Sequence, residues 1–72
     1  MTTRLLLNSL AVDMARGDKI GYVMGHVGPY VQLRPPGGGM EWDADPERVR
    51  PATDTEALRA RVTELNRAER FA

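Results

Sequence analysis

His26 is the only histidine of the chain, and with Ser9 and a scatter of aspartates it is the raw material of a base-assisted nucleophile. A general base must lie within hydrogen-bond reach of the proton it removes, and a hydroxyl nucleophile needs that base beside it. Nothing in the spacing of these residues draws them together. His26, between Gly25 and Gly28, therefore reads as a surface-turn histidine. The alternating acids Glu41, Asp43, Asp45 and Glu47 would line one strand edge with carboxylates. Calcium loops alternate acids too, but they need a mid-loop glycine and a distal glutamate, and Pro46 interrupts this run. The acids read as a solvated strand face, with Arg34, Arg48 or Arg50 across the sheet to relieve their repulsion. The glycines of "GYVMGHVG" and "PPGGGM" suggest a phosphate cradle. Neither run is followed by Lys-Ser/Thr or opens a helix, and no G-x-G-x-x-G occurs. Bulge and turn positions account for Gly21, Gly25 and Gly28. No catalytic residue, metal, cofactor or small-molecule substrate is expected.

What remains is surface chemistry. Small barrels expose aromatic side chains beside their loops, where they anchor peptides or stack on bases. Tyr22, Tyr30 and Trp42 are the candidates. If Val31 and Leu33 point inward, Tyr30 and Gln32 point outward. Trp42 lies opposite Glu41 and Asp43, which assigns it to the core, with a groove as the alternative. Near the C-terminus, Leu58, Val62 and Leu65 recur at i, i+4 and i+7, the spacing of one helix face. That stripe either docks across the open end of a barrel or pairs with a second copy or another protein. The expected protein-binding set is thus Tyr22, Tyr30, Gln32, Leu58, Val62 and Leu65. The alternative is nucleic-acid binding through Arg34, Arg48, Arg50, Arg59, Arg67 and Arg70.

The elements that must carry these residues are small. Seventy-two residues make one domain near the lower size limit for a single core. There is no cysteine, which fits a reducing cytoplasm and removes disulfides and thiolate chemistry. Ten basic and ten acidic residues balance, so the basic excess usual in nucleic-acid binders is missing. Leu5-Leu6-Leu7 is too short for a signal core or a membrane span.

The pattern divides into a lead over 1–9, a β-rich barrel over 10–52 and an amphipathic helix over 53–72. Thr53-x-x-Glu56 is a capping box at the start of that helix, and Glu56/Arg59 and Glu64/Arg67 are spaced to pair along it. β-like runs fall at 20–24, 30–34, 40–44 and 48–50, separated by Gly and Pro. Pro35-Pro36 cannot donate to a ladder and Gly37 to Gly39 can turn, so "RPPGGGMEW" predicts a hairpin tip. Asp45-Pro46 predicts a capped 3₁₀ turn before the last strand. For the first element we favour a strand over 10–14; a helix capped at Thr3, with Leu7, Leu10 and Met14 on one face, is the alternative.

Strand, "ARGD", long glycine-bearing strand, hairpin, 3₁₀ turn and final strand together resemble an SH3-like small barrel. "GDKIGYVMGHVGPYVQL" is loosely similar to a KOW-type motif through Gly17-Asp18, Ile20, Gly25 and Val31. The motif's basic loop is absent here. "GYVMG…GPYVQLRPPGGGMEWDADP…VRPAT" also resembles a group of short actinobacterial proteins, over residues 10 to about 65. These likenesses imply a mainly β fold, a five-stranded small barrel plus one helix, and a bacterial cytoplasmic setting. They transfer no catalytic residue.

Overall fold

A computed structural model describes residues 5–70 of the chain, and side chains as far as 66. Local chemistry accounts for most of its turns. Gly37, Gly38 and Gly39 take φ of 81°, 99° and 123°, backbone that side chains disfavour, and close the predicted hairpin tip behind the two prolines. Asp45 accepts from the Glu47 N–H at 2.9 Å and Pro46 opens the 3₁₀ turn Pro46–Arg48, as its sequence predicts. Asp13 does the same for a second 3₁₀ turn, Met14–Arg16, accepting from Ala15 N–H at 3.0 Å.

Between these turns lie β1 (Leu10–Asp13), β2 (Lys19–Val27), β3 (Tyr30–Arg34), β4 (Trp42–Ala44) and β5 (Val49–Pro51), followed by α1 (Asp54–Arg70). All strand pairs are antiparallel and belong to one sheet, in the order β4-β3-β2-β1-β5. Four strands meander and the fifth returns to pair with the first. The fold is mainly β with one C-terminal helix, as the sequence predicts.

Three boundaries differ from expectation. The first element is the favoured strand, but it stops at Asp13, and Met14 turns away into the 3₁₀ segment; the helix alternative fails here, and its Thr3 cap lies outside the described residues. β2 runs on to Val27, so His26 sits in a strand opposite Val31 and not in a turn. β4 begins only at Trp42, leaving Glu41 outside it and Met40 89% exposed.

One face of the sheet is the core: Ala11, Val23, Val31, Leu33, Trp42, Ala44 and Val49, with Leu5 packed against them. Trp42 is 9% exposed, which settles its assignment to the interior. Its indole N–H donates to the Asp13 carboxylate at 2.9 Å. A β4 side chain meets β1 across the width of β3 and β2 only because the sheet curls around it. Asp13 is 1% exposed, and with Ala15 N–H on one oxygen and the indole on the other it is a buried carboxylate with its acceptors used. The Lys19 ammonium lies 4.3 Å from the indole ring centre and shields its outer side.

The same indole corrects the reading of Gly21. The ladder slips between Val23 and Gly25, so the bulge is there, while Gly21 is a regular strand residue opposite Ala11. A Cβ on Gly21 would lie 2.8 Å from Trp42 Cη2 and 3.0 Å from the Arg34 carbonyl. Gly21 is required because Trp42 lies on it.

Candidate functional site

Paired residues of neighbouring strands share a face, so the outer side of the sheet carries two rows. Arg50, Val12 and Ile20 form one; Leu10, Tyr22 and Arg34 form the other. α1 lies across these rows. Its capping box is made as its sequence predicts: Thr53 N–H donates to Glu56 Oε1 at 2.9 Å, and Glu56 N–H donates to Thr53 Oγ1 at 3.2 Å. Glu56 also receives both arms of Arg50, at 2.8 and 2.9 Å. Two turns on, Glu64 accepts from the Tyr22 hydroxyl at 3.0 Å and from Gly37 N–H at 3.2 Å. Between the two glutamates, Ala60 is 6% exposed and Ala57 half-buried. Ala60 faces Val12 and Ile20 across a shallow groove.

The rotation of α1 follows from these contacts. At about 100° per residue, Leu58, Val62 and Leu65 centre about 165° around the helix from the side that touches the sheet. They are 63%, 47% and 63% exposed. The expectation that this stripe docks on the barrel is therefore overturned. The bidentate bond from Arg50, on the strand just before the helix, sets Glu56 inward, and Leu58 is carried outward with it. That bond also corrects two pairings: Glu56 meets Arg50 and not Arg59, and Arg50 is turned to the helix and not to the acids of β4.

The electrostatics reflect the clamp. The bidentate bond from Arg50, helped by Thr53 N–H, holds the Glu56 carboxyl at about 2, below its ordinary 4.5. Burial, and then the hydrogen bond to Glu64, push the Tyr22 hydroxyl above its ordinary 10.0. The Arg34 guanidinium stands 5.8 Å from the Tyr22 ring centre.

The predicted protein-binding residues fall into two groups. Leu58, Val62 and Leu65 form one free face; Tyr22 lies under the helix's other side, half-buried and engaged with Glu64. Tyr30 is exposed beside Val27 at the β2–β3 turn. It stands four residues from Arg34 along β3, about 13 Å away. Gln32 is half-buried opposite Asp43. Of the alternative nucleic-acid set, Arg34, Arg48 and Arg59 are exposed and Arg50 is bonded to Glu56, while the side chains of Arg67 and Arg70 lie outside the described residues. The Glu64/Arg67 pairing lies outside them for the same reason. The remaining polar candidates stand apart. His26 is exposed on β2, and the Ser9 hydroxyl donates to the Leu6 carbonyl. Glu41, Asp43 and Glu47 are exposed, and Asp45 serves as a cap.

The contacts that orient α1 escaped sequence reading. The signal was present in two glutamates eight residues apart with Ala57 and Ala60 between them, a second face weaker in hydropathy than the leucine one. A shallow groove of about 240 Å³ runs beside this contact, lined by Val12, Asp18, Ile20, Arg59, Ala60 and Thr63. No helix among the described residues is long and apolar enough to cross a membrane. Compared with protein-family models, curated proteins and solved structures, the chain matches none.

Proposed function

We propose that this chain is a small non-enzymatic interaction module: a curled five-stranded sheet holds α1 by its alanine and glutamate side and offers the opposite side to a protein. One observation carries the reading. Among the exposed large hydrophobics of the described residues, Leu58, Val62 and Leu65 share one helix face, while Ala60 occupies the buried position. Helix faces with anchors at i, i+4 and i+7 are a recurring mode of protein docking. Two glutamates tie the helix to the sheet side, and its capping box is made. Nucleic-acid binding is the weaker reading, because charge is balanced overall and the Arg50 guanidinium is already spent on Glu56. The setting is the reducing cytoplasm, which a cysteine-free chain suits.

The test is capture from bacterial cytoplasmic extract by immobilised wild-type chain and by a Leu58→Glu/Val62→Glu variant. A protein, or the chain itself, retained by the wild type and lost by the variant is the expected result. Equal retention by both would refute the reading.

A further inference from the structure

We infer that the free face of α1 seats a second copy of this chain, helix beside helix and parallel; the inference rests on the docking reading above. Written as a heptad, α1 has Leu58 and Leu65 at d and Val62 at a. The f position is Ala60, and b and c hold Glu56, Ala57, Thr63 and Glu64. In an isolated coiled coil the b, c and f side is the one left in water. Here it is the side on the sheet, with Ala60 buried, so the positions left free are those that form a coiled-coil seam.

Side-chain type sets the number of strands: within a parallel pairing, a β-branched residue at a with leucine at d favours two. Among the described side chains, charge selects the orientation. In parallel pairing each g residue meets the e residue five positions on in the other copy, which sets Asp54 against Arg59 twice and Arg61 against Asn66. An antiparallel pair centred on Val62 sets Arg61 against Arg61 of the other copy. Asp54, Arg59 and Arg61 are exposed, and among the described residues none of them is held in an ion pair. Each copy carries its sheet behind its own helix, so the bodies stand clear of the seam.

Area sets the strength. Three partly exposed aliphatic side chains offer about 300 Å² per helix, the lower end for the largest patch on a typical monomer. Two such faces bury about 600 Å², half of the roughly 1,200 Å² that marks a stable interface. The pair is therefore weak, and is strengthened wherever copies are held close together.

The experiment is sedimentation equilibrium of the full chain from about 5 µM to 1 mM. The mass average is expected to rise from 8.0 kDa toward twice that value across the range. Val62→Glu, at an exposed position and with its fold checked by circular dichroism, should weaken association by at least about tenfold. Because the chain has no cysteine, Leu65→Cys gives an unambiguous orientation test: a parallel seam places the two thiols together, and oxidation links the copies. Cross-linking only between a Leu58→Cys copy and a Leu65→Cys copy would overturn the parallel arrangement. A mass of 8.0 kDa at every concentration would overturn the second copy as occupant. If extract capture is then still lost on substitution, the docking reading stands with a different protein on the seam; if capture is unchanged, both fall. Association that Val62→Glu leaves untouched would overturn this face as the seat of the second copy.

Discussion

Substituting Gly21 by alanine adds one methyl group where neighbouring atoms leave no room for it. The new Cβ meets Trp42 Cη2 at 2.8 Å, the Arg34 carbonyl at 3.0 Å and Leu33 Cβ at 3.1 Å. None of the three can yield cheaply. The indole is held by its bond to Asp13, the carbonyl belongs to the ladder that pairs Tyr22 with Arg34, and Leu33 is fully buried. Overpacking of this kind costs about 1–3 kcal/mol. The chain recovers about 0.4–1 kcal/mol, because alanine has fewer unfolded conformations to lose than glycine. With all three neighbours rigid, the net loss is about 1–2 kcal/mol. In a domain of this length that lowers Tm by roughly 4–16 °C, at about 4–8 °C per kcal/mol. Gly25→Ala is the internal control: nothing lies within 4 Å of the added atom, so only the unfolded-state term acts and the variant gains about 0.4–1 kcal/mol. Urea unfolding followed by the fluorescence of Trp42, the single tryptophan, reads both variants. Gly21→Ala as stable as the wild type, or less damaging than Gly25→Ala, would refute the packing argument.

Two further outcomes follow from the buried and clamped carboxylates. Asp13→Ala leaves the Trp42 N–H without a partner in the core and should cost at least about 1–3 kcal/mol; Asp13→Asn keeps an acceptor and should cost less, with urea midpoints of both variants as the measure. Glu56 has a folded pKa of about 2 against an ordinary 4.5, so its stabilising contribution is fully present above 4.5 and is lost as pH falls from 4.5 toward 2. Glu56→Gln should therefore be less stable than the wild type at pH 7 and lose less on acidification; parallel acid dependence of the two chains would contradict the clamp.

What could be read from the sequence was local. The capping box at Thr53, the prolines and glycines of the hairpin tip and the Asp45-Pro46 turn each involve residues within a few positions of one another. Strand parity placed Val31 and Leu33 inside, Tyr30 outside and Trp42 in the core for the same reason. What stayed hidden depends on partners far apart in the chain. Asp13 and Trp42 are 29 residues apart, and only their meeting explains a buried aspartate or the need for Gly21. Tyr22 and Glu64 are 42 apart, and they join Arg50 and Glu56 in turning the helix. Hydropathy assigns the leucine stripe to the interior because it weighs only the solvent cost of each face. In the structure two charge-assisted bonds and a pair of alanines take the side that faces the sheet, and the stripe is left outside.

The orientation of α1 is tested most directly by replacing Leu58, Val62 and Leu65 together with glutamine, a good helix former, and measuring urea unfolding on dilute protein. Exposed side chains contribute little to the fold, so the triple variant should keep its stability to within about 0.5 kcal/mol. A loss of several kcal/mol, at about 2–5 for each buried aliphatic side chain removed, would show that the stripe is packed against the sheet and would contradict the account.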